Sequence, residues 1–341
     1  MNRLFKLSTI LALTSIPHTA FALPKADPQM QAVLDQLTAL KGKPVETLSA
    51  EDARKQPTPS DAVEKLLKMQ GKSTSPEKVY NVDDTTLKTL VGTVPVRVYT
   101  PKGDGPFPGI VYVHGGGWVI ATNDVYDASP RALSNLTKSV VISIEYPKAP
   151  EHKFPAAHTA AYAATQYVFE NAKSLKIDPS KIAIVGESAG GNMATAVCMM
   201  ARDKNGHMPI YQGLIYPVTN DDMNTPSYQE NALAMPLNKA MMSWFMEKTI
   251  SGPQDLSNHY LTVLKGDVSK LPPATVITAE IDPLMSEGKS YADKLKEAGV
   301  PVHYQNYEGV THEFFGMAAV VDKAKAAQQL LAGDLNNAFK K

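Results

Sequence analysis

The chain has 341 residues, which is long for one domain but usual for an enzyme core with added segments. Hydrophobic residues make up 43% and charged residues 20%, with 34 basic and 34 acidic side chains. This balance is typical of a folded globular protein and argues against nucleic acid or an acidic membrane surface as a partner.

The first 22 residues have the pattern of a secretory signal peptide. Arg3 and Lys6 give a positive start, residues 7–16 form an apolar core, and residues 20–22 (Ala-Phe-Ala) form a small-x-small cleavage site. The apolar core is too short to span a bilayer. We therefore predict cleavage after residue 22, a periplasmic or secreted mature protein and no stable membrane anchor. An uncleaved N-terminal anchor is the alternative.

Strands and helices alternate along most of the remaining chain. Strands are predicted at 78–83, 93–100, 108–114, 139–146, 181–186, 211–217, 274–280 and 302–308. Helices are predicted at 129–138, 155–174, 188–203, 286–298 and 316–339. Buried strands alternating with helices predict an α/β fold whose mainly parallel sheet is covered by helices on both faces.

The third predicted strand ends in His114 and three glycines, residues 115–117. Backbone amides of a Gly-rich loop can approach a substrate closely, and ester hydrolysis needs such donors for the oxyanion that develops. A phosphate-binding loop is the alternative, but it would require a following Lys-Ser/Thr pair. We predict that Gly116 and Gly117 donate to the oxyanion, and that His114 holds the loop by hydrogen bonds.

Residues 186–190 (Gly-Glu-Ser-Ala-Gly) lie where a buried strand meets a helix. A serine flanked by glycines two residues away on each side is typical of the nucleophile elbow of an α/β-hydrolase. The flanking positions accept only very small side chains because the sharp turn brings them against neighbouring backbone. We predict that Ser188 is the nucleophile and that the amide of Ala189 is a third oxyanion donor. An ordinary Gly-rich turn is the alternative.

Residues 114–118 and 186–192 together resemble the hormone-sensitive-lipase-like family of α/β-hydrolases, also called bacterial family IV esterases. Residues 149–157 (Ala-Pro-Glu-His-Lys-Phe-Pro-Ala-Ala) are a further family hallmark. The chain departs from the family at Pro147-Lys148, where Arg-Leu is usual, and at Ala160, near which an acidic residue is frequent. Neither departure affects the expected chemistry.

The resemblance implies that an N-terminal segment and an insertion between core strands form a helical cap over the site. The predicted organisation is a signal peptide, an N-terminal cap segment, a first core part, a cap insertion and a second core part, at 1–22, 23–75, 76–218, 219–262 and 263–341. The insertion is rich in methionine, which adapts to irregular ligands. We predict a substrate pocket bordered by Trp118, Trp244 and Phe245, although Trp118 could equally be a packing residue.

A serine hydroxyl needs a base that is itself held by an acid. In this fold the order along the chain is serine, then Asp or Glu, then histidine. His312 follows the last predicted strand on a loop and is the expected base, in agreement with the family's histidine before a Gly/Glu-Phe pair. Asp282 is the expected acid, as the family's Asp-Pro-Leu setting implies, and Glu280 is its rival on the same strand face. Glu187 is expected to be a supporting hydrogen-bonding group.

These residues predict a carboxylesterase with a Ser-His-Asp acyl-enzyme mechanism that requires no metal or organic cofactor. The resemblance implies short to medium acyl esters as substrates. We expect a monomer or homodimer. The alternatives are a formamidase-like amide hydrolase and a deacetylase of small molecules or sugars. A non-enzymatic small-molecule receptor is disfavoured because all three members of the triad are present.

Overall fold

The computed structural model describes residues 25–340 and contains an eight-stranded sheet. Its strands are β1 (Asn81–Thr89), β2 (Gly92–Thr100), β3 (Phe107–Val113), β4 (Val140–Ile144), β5 (Ile177–Glu187), β6 (Gln212–Ile215), β7 (Ala274–Ile281) and β8 (Val302–Thr311). Their spatial order is β1-β2-β4-β3-β5-β6-β7-β8. β2 pairs antiparallel with β1 and β4, and every other neighbouring pair is parallel. The predicted mainly parallel sheet is confirmed.

The first strand lies later in the chain than predicted, at Asn81–Thr89 rather than 78–83. β1 is an edge strand in which Leu87 alone is buried, so its sequence carries little apolar alternation. Its position is determined by the hairpin with β2, where Thr89 pairs with Gly92. The position of β1 is therefore set by its pairing with β2 and could not be predicted from the apolar pattern of its own sequence.

Ten α-helices accompany the sheet within residues 25–340. They are α1 (Pro28–Ala39), α2 (Ala50–Ala53), α3 (Pro59–Met69), α4 (Ala128–Thr137), α5 (Ala156–Glu170), α6 (Ala189–Asp203), α7 (Pro226–Glu230), α8 (Lys239–Thr249), α9 (Met285–Glu297) and α10 (Asp322–Phe339). The last helix begins at Asp322 rather than at the predicted residue 316, because Phe314–Met317 forms a separate 3₁₀ turn.

Successive residues of the central strands point to opposite faces of the sheet. In β3, Val111 and Val113 join the apolar core that contains α5, α6 and α9. Ile110 and Tyr112 join the core on the other face, with α4 and α10. Both faces are thus covered by helices, which explains why the strands read as continuous apolar runs.

The N-terminal segment and the insertion after β6 contact each other. The indole N–H of Trp244 in α8 donates to the carbonyl of Leu48 at 3.2 Å, and the Asn238 amide donates to Glu46 at 3.3 Å. Within the N-terminal segment, Val33 of α1 and Leu66 of α3 are buried in the same apolar core. The two segments are therefore in direct contact, although they are far apart in sequence.

The predicted signal peptide lies outside the described residues. Among the helices of residues 25–340, none combines the length and the apolar character that a membrane span requires.

Candidate active site

Ser188 occupies the turn between β5 and α6 in a strained backbone conformation, with φ 57° and ψ −120°. A non-glycine residue with positive φ is uncommon and requires support from its surroundings. A Cβ at Gly186 would overlap the carbonyl oxygen of Gly190, and a Cβ at Gly190 would overlap that of Val113. The two glycines predicted from the motif are therefore required by direct backbone contacts.

Three of the predicted residues converge at one place. His312 Nε2 lies 2.9 Å from Ser188 Oγ, and His312 Nδ1 lies 2.6 Å from Asp282 Oδ2. The side chains of Asp282, His312 and Ser188 are buried. With Nδ1–H donating to the carboxylate, Nε2 is free to accept the serine proton.

Strand register explains how Asp282 and His312 meet. Ile281 pairs with Thr311, so the next residue of each strand leaves the sheet beside the other. The register shifts between this pair and the preceding one, because Ala279 pairs with Tyr307. More residues of β8 than of β7 lie between the two pairs. The rival acid Glu280 does not bond to the imidazole, and its carboxylate accepts a hydrogen bond from the Gly309 amide at 2.6 Å inside the shifted stretch.

The net pKa of the His312 imidazole lies above its usual 6.5. Burial lowers this pKa, whereas the charge and hydrogen bond of Asp282 raise it. Glu313 and Glu187 contribute in the same direction. The site is therefore suited to stabilising an imidazolium during reaction.

The glycine loop presents amides that have no acceptor. Gly116 and Gly117 have φ of 99° and 57°, and both line the same cavity as Ser188. Within the part of the chain that the structure describes, the N–H groups of Gly116, Gly117 and Ala189 donate to no protein acceptor. Unpaired amides beside a nucleophile can donate hydrogen bonds to an oxyanion and so stabilise its charge.

His114 is buried beneath this loop and does not bond to Ser188. Its Nδ1 lies 2.8 Å from the carbonyl of Gly115, and its ring stacks on Tyr146 at 4.3 Å between centroids. The Tyr146 hydroxyl also donates to the Gly115 carbonyl, at 2.7 Å. These contacts hold the loop, as expected for His114.

Two further carboxyl groups, those of Glu187 and Glu313, lie near the triad. Glu187 accepts hydrogen bonds from the hydroxyls of Tyr112 and Tyr216, and burial raises the pKa of Glu187. Glu313, which sequence reasoning did not select, accepts from Tyr126 at 3.1 Å, and burial raises the pKa of Glu313. Its only signal in the sequence is its position directly after the base.

A cavity of about 560 Å³ opens above Ser188 and His312. Its apolar lining comes from the N-terminal segment, the glycine loop and the insertion: Leu37, Val45, Ile120, Val125, Met235, Leu237, Met241 and Phe245. The cavity is therefore walled largely by apolar groups supplied by both segments outside the sheet.

Of the three aromatic residues predicted for the pocket, the structure places only Phe245 at the cavity. Trp118 is 1% exposed and stacks on His158, and it belongs to the core. Trp244 is turned toward the N-terminal segment by its hydrogen bond to Leu48. The predictions for Trp118 and Trp244 are corrected, because neighbouring residues on a loop or helix point in different directions.

Comparison with known proteins agrees with this geometry. A family model described as alpha/beta hydrolase fold matches residues 110–316. The chain belongs to the hormone-sensitive-lipase-like family of α/β-hydrolases. A carboxylesterase from Mycobacterium tuberculosis is 40% identical to this family member over 240 residues, which is 69% of this chain and 75% of the relative. An ethyl acetate hydrolase from Pseudomonas putida is 34% identical over 86% of this chain and 92% of its own length.

Solved structures show the same likeness. A hyperthermophilic esterase from Pyrobaculum calidifontis matches this family member with a TM-score of 0.83 and 36% identity, over 92% of this chain and 98% of its own. A thermostable esterase from Pseudomonas putida matches with a TM-score of 0.84 and 31% identity, over 93% and 99%. The chain is a hydrolase of carboxylic esters.

Replacing Gly190 by alanine should prevent stable folding of the esterase. The added Cβ would overlap backbone that cannot move aside, so we expect a loss of more than about 4 kcal/mol in the free energy of unfolding. Gly333→Ala is the matched control, because nothing lies within 4 Å of a Cβ there and alanine should stabilise α10 by roughly 0.5–1 kcal/mol. Urea unfolding measures both, and equal stabilities would contradict the steric explanation.

Proposed function

We propose that this esterase cleaves its substrates through an acyl-enzyme formed on Ser188. The observation that carries the proposal is the pair of hydrogen bonds that link Ser188, His312 and Asp282 at the cavity. A hydroxyl bonded to an imidazole that is bonded to a buried carboxylate is the arrangement that activates serine for attack.

In the first half of the reaction, His312 takes the proton of Ser188 while Oγ attacks the ester carbonyl. The carbonyl oxygen becomes an oxyanion and accepts hydrogen bonds from the amides of Gly116, Gly117 and Ala189. Each such donor is worth roughly 10²–10³ in kcat in serine hydrolases. His312 then protonates the leaving alcohol, and the acyl group stays on the serine.

In the second half, water replaces the alcohol as the nucleophile. His312 removes a proton from the water, which attacks the acyl-enzyme, and the proton returns to Ser188 when the acid leaves. Asp282 holds the imidazole in one tautomer and stabilises its charged form in both halves.

We propose short to medium acyl esters as substrates. The cavity holds a ligand of moderate size, and its apolar lining suits an alkyl or aryl group. Relatives named ethyl acetate hydrolase and arylesterase support this choice, since both names describe esters with a small acyl or alcohol part.

We also propose that residues 23–75 and 219–262 act as a cap. Side chains from both segments, including Val45 and Met241, line the cavity beside Ser188. The hydrogen bond between Trp244 and Leu48 joins the two segments above it.

Ser188→Ala should lower kcat for p-nitrophenyl butyrate by on the order of 10⁶, because the attacking oxygen is removed. The fold should be unaffected, since the smaller side chain adds no contact. Ser243→Ala, on the exposed side of α8, is the matched control and should hydrolyse the ester at the normal rate. Turnover of Ser188→Ala within tenfold of the unchanged enzyme would remove Ser188 from the mechanism.

The rate should fall on the acidic side as His312 becomes protonated, because only the neutral imidazole accepts the serine proton. The pKa of His312 is raised, so the fall in kcat/KM should begin above pH 6.5 as the pH decreases. Asp282→Asn removes the charge that raises this pKa and should move the fall to lower pH, together with a loss of kcat. A pH profile with the same acidic limb in both proteins would contradict this assignment.

A series of p-nitrophenyl esters should show how large an acyl group the cavity accepts. We expect kcat/KM to be highest for acetyl to octanoyl esters and at least tenfold lower for palmitoyl esters, in line with relatives whose names describe esters with a small acyl or alcohol part. N-formyl amides and acetylated sugars measured beside them test the formamidase and deacetylase alternatives. A preference for either of these, or for palmitoyl esters, would overturn the substrate proposal.

We propose export with removal of residues 1–22. The charged start, apolar core and small-x-small site of this segment support it. Mass spectrometry of the protein isolated from its native cells should give an N-terminus near Leu23, in the periplasmic fraction or the medium. Recovery of a chain that begins at Met1 would contradict cleavage.

A further inference from the structure

The first part of the insertion after β6 is bonded to the turn that carries Asp282. We call residues 280–287 the acid turn and residues 219–231 the clamp. Asn231 is fully buried, and its side-chain amide donates to the carbonyls of Glu280 at 3.1 Å and Asp282 at 3.3 Å. The backbone on either side of the Asp282 side chain is thus held by one residue of the clamp.

A second attachment joins Ser227 to the other end of the acid turn. The Ser227 amide donates to Ser286 Oγ at 3.1 Å, and the Ser286 amide donates to Ser227 Oγ at 3.0 Å. The Ser227 hydroxyl also donates to the carbonyl of Pro283 at 2.6 Å. This reciprocal pairing fixes the start of α7 against the start of α9.

A third attachment is made by Glu287, which is fully buried. Its Oε1 accepts hydrogen bonds from the amides of Thr219 at 2.6 Å and Asn220 at 3.2 Å. The Thr219 hydroxyl donates back to the Glu287 carbonyl at 3.0 Å. Hydrogen bonds therefore join the clamp to the acid turn along the length of the clamp, from Thr219 to Asn231.

Few contacts outside the acid turn orient the carboxylate of Asp282. One carboxylate oxygen is bonded to His312, and the other accepts from the Leu284 amide within the acid turn itself at 2.8 Å. The direction of the carboxylate therefore follows the backbone of the turn, and the clamp holds that backbone. Displacement of a catalytic group by about 1 Å can cost 10²-fold in rate.

We propose that the clamp positions the catalytic acid, with Asn231 and Ser227 as positioning residues. The proposal rests on the role of Asp282 in the proposed function. It divides the insertion into two parts with different roles. Residues 219–231 serve the triad, while Met235 and the residues that follow it line the cavity and meet substrate.

Asn231→Ala should lower kcat for p-nitrophenyl butyrate by about tenfold to hundredfold, with KM within twofold, since Asn231 does not line the cavity. The acidic limb of the pH profile should move to lower pH, because a displaced carboxylate stabilises the imidazolium less. Gln254→Ala is the matched control, because it removes an exposed side-chain amide in the same insertion but outside the clamp and away from the cavity. It should change neither kcat nor the limb.

A double-mutant cycle with Asp282→Asn decides whether Asn231 acts through the acid. If it does, adding Asn231→Ala to Asp282→Asn should change kcat by less than twofold. The proposal is overturned if the two losses multiply, or if Asn231→Ala alone keeps the normal kcat and pH limb. Should Asn231→Ala not fold, Ser227→Ala takes its place in the same cycle, with the same two criteria.

The single variants separate failure of this proposal from failure of the proposed function. An inactive Asp282→Asn beside a normal Asn231→Ala would overturn the clamp alone. An Asp282→Asn enzyme with near-normal kcat would overturn the triad assignment and the clamp together.

Discussion

The hydrogen bond between Asp282 and His312 depends on an irregular pairing of the last two strands. β8 advances from Tyr307 to Thr311 while β7 advances only from Ala279 to Ile281, and the extra residues of β8 bring the imidazole level with the carboxylate. Gly309 lies in this stretch with φ 66°. Regular pairing would place His312 further along the strand, so the irregularity is a requirement of the site.

Two carboxyl groups besides Asp282, those of Glu187 and Glu313, are buried beside the triad. Glu187 lies between Tyr112 and Tyr216, and Glu313 is bonded to Tyr126. Buried carboxyl groups are costly unless they are hydrogen-bonded, and each of these has a tyrosine donor. The three tyrosines come from β3 and from the loops that follow β3 and β6, so these hydrogen bonds link separate parts of the chain beside the triad.

Sequence reasoning succeeded where a local rule decides the structure. The glycines around Ser188 and the order of serine, acid and base identified groups that the structure brings together. It failed where partners distant in sequence decide: β1 follows its hairpin with β2, and Trp118 and Trp244 turn toward packing partners rather than the cavity. Side-chain direction on a loop depends on such partners, which no spacing rule contains.

The sequence by itself determined the class of fold and the nucleophile turn, because apolar periodicity and the steric demands of glycine are local properties. The family was indicated by the resemblance of the motifs at 114–118 and 186–192. Only the tertiary structure decided which carboxylate meets His312. Period-two alternation in the sequence predicts one strand face for both Asp282 and Glu280. In the structure, the register of β8 brings the His312 imidazole to Asp282 and the Gly309 amide to Glu280. Register is set by pairing between strands, so it exists only once the sheet has formed.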